Sequence, residues 1–216
     1  MPAPPLTGYY AILDIPDSTL SPGGGLEERA RELLAARPCC LQLRAKRLGA
    51  ADLKEAASRI LPLCRAAGVP FCVNDRVDVA LLVGADFVHV GQDDLPLHEV
   101  RRVCGDRLGV GVSTHDPEQA RAAVAAGADY IGFGPVFATS SKANPDPVVG
   151  LEALRAVSSA GRAAGVPVVA IGGIDLQTVR LVAATGASAA AVISAVDRAG
   201  DRTAAGRAVA AAFGSG

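Results

Sequence analysis

The chain has 216 residues, of which half are hydrophobic and 20% are charged, and its net charge is −1 at pH 7. This composition supplies enough apolar side chains for a sizeable core and excludes general disorder. The near-neutral charge gives no electrostatic reason to expect nucleic acid or an anionic membrane as a partner.

The N-terminus and the cysteines indicate a cytoplasmic protein. The first ten residues, MPAPPLTGYY, lack the charged start and apolar core of a secretory signal. No uninterrupted apolar run is long enough to span a bilayer. The five cysteines include no CxxC pair and no histidine at zinc-ligand spacing, so we interpret them as buried thiols in a reducing compartment.

In chain order, eight apolar runs predict β-strands, and Ala-, Leu-, Glu- and Arg-rich stretches between them predict helices. The runs are YYAILD, CCLQLRA, PFCVN, FVHVG, LGVGVS, YIGFGPV, PVVAIGG and AAAVIS. Apolar strands that alternate with helices are typical of a parallel sheet covered by helices. We therefore predict an α/β protein with a single (β/α)8 TIM barrel over residues 1–216, in which residues 1–8 form a flexible N-terminus. An open doubly wound sheet is the alternative, although no G-x-G-x-x-G follows the first strand.

The second strand predicts an anion site at the mouth of the barrel, the end where the strands terminate. In LQLRAK, the residues Gln42, Arg44 and Lys46 alternate with apolar residues and therefore share one face. The apolar face would pack on the helices, which leaves the polar face inside, and a lysine suits phosphate as a compact charge. The alternative is a solvated edge strand, which a closed barrel does not have.

Acidic residues follow the third and fourth strands. Asn74 and Asp75 come after FCV, and Asp94 follows FVHVGQD, with Asp93 as a less certain neighbour. Because these strands are adjacent, the two carboxylates can converge, and one or two carboxylates with phosphate oxygens and water usually hold Mg²⁺. We interpret Asp75 and Asp94 as Mg²⁺ ligands. The alternative for each residue is a helix N-cap.

The last three strands predict phosphate binding. The loop 137–150 after the sixth strand is long and polar, and it offers hydroxyls and a cation from Thr139, Ser140, Ser141 and Lys142. Gly172 and Gly173 end the seventh strand, and Ile193 and Ser194 follow the eighth. Barrels often bind phosphate with the loops after strands seven and eight. An exposed mobile loop is the alternative for 137–150.

The remaining polar strand residues have weaker interpretations. Ser113 and His115 close the fifth strand, where His115 could orient a ligand but is assigned no acid–base role. His89 lies within an apolar strand, which favours a hydrogen-bonded core histidine over a catalyst. No Ser-His-Asp or Cys-His set indicates nucleophilic catalysis.

The series LQLRAK, VNDRVDVALLVGADFVHVGQDDLP, GVSTH, ADYIGFGPVFATSSK, VAIGGI and AVIS resembles the thiamine phosphate synthase family in order and spacing. The resemblance implies a (β/α)8 transferase that joins 4-amino-2-methyl-5-(diphosphooxymethyl)pyrimidine to a thiazole monophosphate, forming thiamine phosphate and diphosphate. It implies that Mg²⁺ is held by Asp75 and Asp94. The pyrimidine diphosphate would be bound by Gln42, Arg44, Lys46, Asn74, Ser113 and Lys142. The thiazole phosphate would be bound by Thr139, Ser140, Ser141, Gly173, Ile193 and Ser194. The catalytic set would be Arg44, Lys46, Lys142 and Ser113, and no protein nucleophile is required.

The chain departs from the family pattern in a few places, and two rival functions remain open. Ala45 stands where the family has Glu, Ser141 where it has Thr, and Asp14 is given no role because the first strand is looser than usual. The rivals are a thiazole tautomerase, whose members tend to lose the metal aspartates and carry His where Pro135 stands, and a barrel that only binds ligands. Small-molecule substrates are the predicted partners, without nucleic acid or membrane, and a homodimer stays open.

Overall fold

The computed structural model describes residues 6–15, 25–139 and 146–214 of the chain. The strands are β1 (Gly8–Asp14), β2 (Cys40–Arg44), β3 (Phe71–Asn74), β4 (Phe87–Val90), β5 (Gly109–Thr114), β6 (Tyr130–Phe133), β7 (Val168–Ile171) and β8 (Ala189–Val192). The helices are α1 (Gly25–Ala35), α2 (Ala50–Ala67), α3 (Val77–Val83), α4 (Leu97–Cys104), α5 (Pro117–Ala125), α6 (Gly150–Ala164), α7 (Val179–Ala183), α8 (Ser194–Asp197) and α9 (Arg202–Phe213). Each of the eight strands coincides with the apolar run that predicted it, although β1 begins one residue before its run and β5 ends one residue after its run.

The strands form one closed barrel in which each strand pairs in parallel with the next and β8 pairs with β1. This confirms the predicted (β/α)8 barrel and excludes the doubly wound alternative. Because the strands are all parallel, their carboxyl ends meet at one mouth, and the loops after them surround a common space. At the closing seam, Tyr10 lies opposite Cys40 of β2 on one side and Ala191 of β8 on the other.

Alternation along each strand divides the apolar side chains into two cores. Leu41, Leu43 and Ala45 belong to the large core between the strands and the helices, as predicted for one face of β2. A smaller core fills the inside of the barrel with Leu6, Tyr10, Ile12, Cys40, Cys72, Phe87, Tyr130, Val169, Ala189 and Ala191. Its large rings need room, which β5 provides, because a Cβ on Gly111 would lie 2.1 Å from the Tyr130 ring.

Glycine and aspartate residues cap several of the helices. Gly68, Gly84 and Gly165 are left-handed C-caps of α2, α3 and α6, a backbone conformation that glycine adopts without a steric penalty. Asp116 caps α5 by accepting hydrogen bonds from the backbone of Glu118 and Gln119. Pro62 lies inside α2, which nevertheless continues for 18 residues.

The described part of the N-terminus differs from the prediction of a flexible segment 1–8. Leu6 is buried in the interior core and β1 already begins at Gly8, while residues 1–5 lie outside the described residues. All five cysteines are free thiols, and four of them are buried. No helix in the described ranges has both the length and the apolar character needed to cross a bilayer.

Candidate functional site

The polar face of β2 lies where the alternation predicts. Gln42 is buried inside the barrel, and Arg44 at the end of the strand is partly exposed at the mouth. The Arg44 guanidinium donates to the Asp14 carboxylate at 2.5 Å. Asp14, which the sequence left without a role, therefore holds Arg44 in place. Asp14 lies directly opposite Arg44 in the pairing of β1 with β2, so a prediction of the strand register would have found this contact.

Asp75 and Asp94 face each other across the loops after β3 and β4. Asp75 has a φ of 62°, a left-handed conformation that Asp tolerates better than most residues, and its backbone N–H donates to the His89 carbonyl at 2.8 Å. This turn brings its carboxyl group within hydrogen-bond reach of Asp94. Asp94 accepts a hydrogen bond from the Gly91 backbone at 2.7 Å. The two predicted metal ligands are therefore adjacent.

The electrostatics of this pair differ from those of helix caps. Burial, together with the nearby charge of Asp94, raises the pKa of Asp75 to about 6, although Lys46 opposes this shift. The Lys46 ammonium lies 3.5 Å from the Asp75 carboxylate. The N-cap of α3 is Arg76 and that of α4 is Pro96, so neither aspartate occupies the cap position that was its alternative interpretation.

This arrangement fits a hard divalent cation that is shared with a ligand. A bound cation would offset the electrostatic repulsion between two close carboxylates, one of which has a raised pKa. No cluster of three or more His, Cys, Asp or Glu side chains suited to a metal occurs within the described ranges. A metal here would therefore take its remaining ligands from water and substrate, as Mg²⁺ does with phosphates.

Ser113 and His89 belong to a hydrogen-bonded network in the interior of the barrel. His89 is partly buried, and desolvation inside the barrel lowers its pKa to about 4, so its imidazole is neutral near pH 7. Its Nε2 lies 2.9 Å from Ser113 Oγ and its Nδ1 lies 2.9 Å from the Tyr130 hydroxyl. Tyr130 contacts the Tyr10 hydroxyl at 2.8 Å, and Gln42 Nε2 donates to Tyr10 at 3.0 Å. His89 is thus a hydrogen-bonded interior residue, as the sequence suggested. The sequence did not predict that Tyr10 and Tyr130 belong to the same network.

Three further residues at the mouth have different surroundings. Asn74 ends β3, is buried, and its side-chain amide makes no hydrogen bond within the described part of the chain. Asp93 is exposed and does not join the Asp75–Asp94 pair. His115 Nδ1 lies 2.6 Å from the Gly134 carbonyl, and its Nε2 lies 3.5 Å from the Asp146 carboxylate. His115 therefore links β5 to the segment after β6.

The loops after β6, β7 and β8 surround a cavity of about 290 Å³, here called the loop cavity. Its lining includes Thr139, Gly173, Ser194 and Arg198. Ile193 is not part of this lining, since its side chain packs against the interior core, and its predicted contact with the thiazole phosphate stays a prediction. Arg198 was missed by the sequence reasoning, although it lies four residues after Ser194, a spacing that puts both on one face of a helix.

The glycines beside this cavity have a steric role that the sequence did not reveal. The segment after β6 runs along the end of β7, where Phe137 N–H donates to the Gly172 carbonyl at 3.0 Å. A Cβ on Gly172 would lie 2.5 Å from Pro135, and one on Gly173 would lie 2.4 Å from the Ala138 carbonyl oxygen. Both residues also have positive φ angles, 95° and 65°. The glycine pair thus lets this segment approach the seventh strand.

Ser140, Ser141 and Lys142 lie outside the described residues, so their predicted contacts stay predictions. A larger cavity of about 380 Å³ lies on the outer surface between α5 and α6. Its lining is mostly alanine and valine, with Arg121 as a charged member, and it lies away from the carboxylates and cations of the mouth. The carboxylates and cations suited to binding a charged substrate therefore lie at the mouth and not at this outer cavity.

Comparisons with known proteins agree with this architecture. The family model described as thiamine monophosphate synthase matches residues 10–196. A thiamine-phosphate synthase of Anaeromyxobacter dehalogenans is 49% identical over 98% of this chain and 90% of its own length. One of Methanocella arvoryzae is 46% identical over 92% of each chain. The solved structure of a thiamine phosphate pyrophosphorylase from Pyrococcus furiosus superposes with a TM-score of 0.82, at 34% identity over 95% of each chain. The chain belongs to the thiamine monophosphate synthase family.

Proposed function

We propose that the chain condenses 4-amino-2-methyl-5-(diphosphooxymethyl)pyrimidine with thiazole monophosphate to give thiamine phosphate and diphosphate. The observation that carries this proposal is the meeting of opposite charges at one mouth. The Asp75–Asp94 pair lies there beside Lys46, and Arg44 projects from the neighbouring strand end. A diphosphate leaving group carries several negative charges, and it matches such a surface together with a divalent cation, because the cation and the Arg44 and Lys46 side chains offer partners of opposite sign.

On the pyrimidine side, we assign Asp75 and Asp94 as the residues that would hold Mg²⁺. When bound, Mg²⁺ would neutralise charge on the leaving diphosphate. Arg44 and Lys46, with Lys142 of the loop after β6, would contact the diphosphate oxygens. The carboxylate of Asp14 keeps the Arg44 guanidinium in one orientation, so that less side-chain entropy is lost on binding. Gln42, Asn74 and Ser113 would contact the pyrimidine end of the same substrate.

The reaction asks for charge stabilisation and positioning rather than a covalent step. Departure of diphosphate from the pyrimidine methylene breaks the C–O bond and leaves a cation, which the thiazole nitrogen captures with its lone pair. The leaving electron pair stays on the diphosphate, where the cationic side chains stabilise it. Holding the thiazole close to the methylene makes capture effectively unimolecular. The residues at the mouth accordingly need to supply no nucleophile.

On the thiazole side, the loop cavity is suited to a phosphate monoester. Thr139, Gly173 and Ser194 line it, and Ser140, Ser141 and Ile193 are proposed to complete the site from the adjoining segments. Arg198 adds a cation, and in the described part of the chain it forms no ion pair. The carboxylate of Asp175, which also lines the cavity, is engaged with the backbone and hydroxyl of Thr178. Arg198 is therefore available to the phosphate.

The rival thiazole tautomerase is disfavoured by what the chain retains. It keeps both aspartates and keeps Pro135, where members of that branch tend to carry His. A barrel that only binds ligands would have no need for a carboxylate pair opposite an amino group. The predictions of a homodimer and of a cytoplasmic location stay predictions. The free cysteines suit a reducing compartment.

The test is an assay of the purified protein with both substrates and Mg²⁺, in which thiamine phosphate is quantified. We expect product from the unmodified chain and a loss of roughly 100-fold or more in kcat/KM for Asp75→Asn and Asp94→Asn, since a charged ligand at the leaving group is removed. Asp93→Asn is the matched control, because it removes the neighbouring exposed carboxylate, and it should retain activity. Full activity in both the Asp75 and Asp94 variants would refute the metal assignment, and absence of product from the unmodified chain would refute the function.

A further inference from the structure

Five polar side chains inside the barrel form one continuous hydrogen-bonded series, here called the interior network: Gln42, Tyr10, Tyr130, His89 and Ser113. It begins on β2, crosses the barrel through β1, β6 and β4, and ends on β5. Both of its ends are residues proposed above to contact the pyrimidine, whereas the three members between them have no role in that proposal. The network is therefore a candidate for fixing which hydrogen-bonding groups Gln42 and Ser113 offer to the substrate.

The direction of donation can be worked out from one end of the network. Gln42 Nε2 is placed against two groups, the Tyr10 hydroxyl at 3.0 Å and the Cys72 sulfur at 3.9 Å. The Cys72 thiol donates to the Val73 carbonyl, which leaves its sulfur as an acceptor. Both partners therefore accept from the amide nitrogen, and the amide oxygen of Gln42 faces elsewhere.

After Gln42, each tyrosine hydroxyl in the series has one proton with which to donate a hydrogen bond. Burial keeps the pKa of both phenols well above the usual range, so both are protonated. Because Tyr10 accepts from Gln42, its own proton can go to Tyr130 at 2.8 Å, and the Tyr130 proton can go to His89 Nδ1 at 2.9 Å, a shorter contact with a stronger acceptor than Cys72 Sγ at 3.7 Å. A neutral imidazole that accepts at Nδ1 carries its proton on Nε2, and it therefore donates to Ser113 Oγ. This direction gives every strong donor in the interior network a strong acceptor.

The two ends of the network consequently offer opposite hydrogen-bonding groups. Gln42 Oε1 has no hydrogen-bond partner within the described residues, and the atom keeps some exposed surface, although the residue as a whole is only 4% exposed. Ser113 Oγ accepts from His89 and has no second partner in the described ranges, so its own proton remains to be donated. One end accepts and the other donates.

We propose that Tyr10, Tyr130 and His89 are positioning residues that fix Gln42 as an acceptor and Ser113 as a donor toward an amino-substituted heteroaromatic ring. Such a ring carries an exocyclic amine that donates and ring nitrogens that accept, which complements both ends at once. A ring with an oxo group in place of the amine accepts a hydrogen bond where the amine would donate one, so Gln42 Oε1 would be left without a donor. This inference rests on the proposed function, because it takes the aminopyrimidine as the ligand.

The matched variants are three Tyr→Phe substitutions, each of which removes one hydroxyl and keeps the ring. Tyr130→Phe and Tyr10→Phe break the interior network. Tyr9→Phe is the control, since the Tyr9 hydroxyl is equally buried but has no hydrogen-bond partner. We expect the network variants to raise KM for the pyrimidine diphosphate about tenfold, the effect of one lost buried hydrogen bond, with KM for the thiazole phosphate changed less than about twofold. The double variant should be no worse than the poorer single one, because both interrupt the same series.

A spectroscopic measurement tests the network without turnover. In ¹⁵N-labelled protein, which has three histidines, two-bond ¹H–¹⁵N spectra report the tautomer of each ring, and His89→Asn identifies the signal. We expect His89 to carry its proton on Nε2, and to become a mixture of tautomers in Tyr130→Phe but not in Tyr9→Phe. A proton on Nδ1 in the unmodified chain, or equal kinetics of the Tyr130 and Tyr9 variants, would overturn the proposal. If the unmodified chain makes no thiamine phosphate, the function fails, while the tautomer of His89 still decides the direction of the network.

Discussion

At the scale of single residues, Asp75 stands out because its position is unfavourable for the folded protein in three ways. It has a left-handed backbone, it is largely buried, and its carboxylate faces a second carboxylate. Each of these features costs free energy in the protein without a cation. Lys46 offsets part of that cost, but its side chain is 54% exposed and its charge is partly screened by water. Sites that bind charged ligands often carry such a local cost.

A stability measurement checks this view of Asp75. Because its folded pKa of about 6 lies above its ordinary value of 3.8, the folded state binds more protons than the unfolded chain between these two values. The contribution of Asp75 to the free energy of unfolding therefore falls as the pH rises through this window, and the cost is complete above it. We expect Asp75→Asn to stabilise the metal-free protein at pH 7.5 by about 1–2 kcal/mol, with little effect at pH 3.5.

Urea denaturation at the two pH values, with a chelator present, gives the comparison. Asp78→Asn is the control, since the pKa of Asp78 is lowered by its hydrogen bond with Arg76 and neutralising it should bring no gain. Equal or lower stability of Asp75→Asn at pH 7.5 would show that the carboxylate is not destabilised by its surroundings.

At the scale of elements, the short helix α8 joins the end of the barrel to the loop cavity. It places Ser194 and Arg198 four residues apart beside Gly173. The Arg198 backbone N–H donates to the Ser194 carbonyl at 3.1 Å, so the spacing of the two side chains is set by one helical turn. An arginine in this position can contact a phosphate in two places, which gives orientation as well as charge.

The expected effect of Arg198 is on one substrate only. We expect Arg198→Gln to raise KM for the thiazole phosphate about tenfold, the result of losing a charge-assisted hydrogen bond, and to leave KM for the pyrimidine diphosphate unchanged. Arg155→Gln, which changes an exposed arginine of α6 outside the cavity lining, is the control for net charge. Steady-state kinetics with each substrate varied in turn will give the two KM values separately. An equal rise in both KM values would count against a phosphate contact.

At the scale of the whole molecule, what the sequence could predict follows from periodicity. Alternation in LQLRAK located Gln42 and Arg44 inside and Leu41, Leu43 and Ala45 outside, because a strand in a closed barrel has one face for each core. The adjacency of Asp75 and Asp94 followed in the same way from parallel neighbouring strands. These are consequences of backbone geometry, which a single sequence carries.

Other features depend on contacts between distant segments, and periodicity does not reveal them. The Tyr10–Tyr130 hydrogen bond joins residues 120 positions apart, and it requires the space left by Gly111 on a third strand. The sequence predicted the glycine pair at 172 and 173 only as part of a phosphate site, but the close approach of Pro135 and Ala138 also requires glycine there. Arg198 lay beyond the last predicted strand and matched no motif. In each case the partner was set by the closed barrel rather than by local sequence.

The central claim is that carboxylates from adjacent strands share a divalent cation with the diphosphate group, opposite the cationic side chains of β2 and the residues that follow it. The most direct measurement is a crystal structure of the protein with Mg²⁺ and diphosphate. We expect one ion between the Asp75 and Asp94 carboxylates, with diphosphate oxygens completing its coordination and facing Arg44 and Lys46. Diphosphate bound only in the loop cavity, or an ion that touches neither aspartate, would contradict the claim.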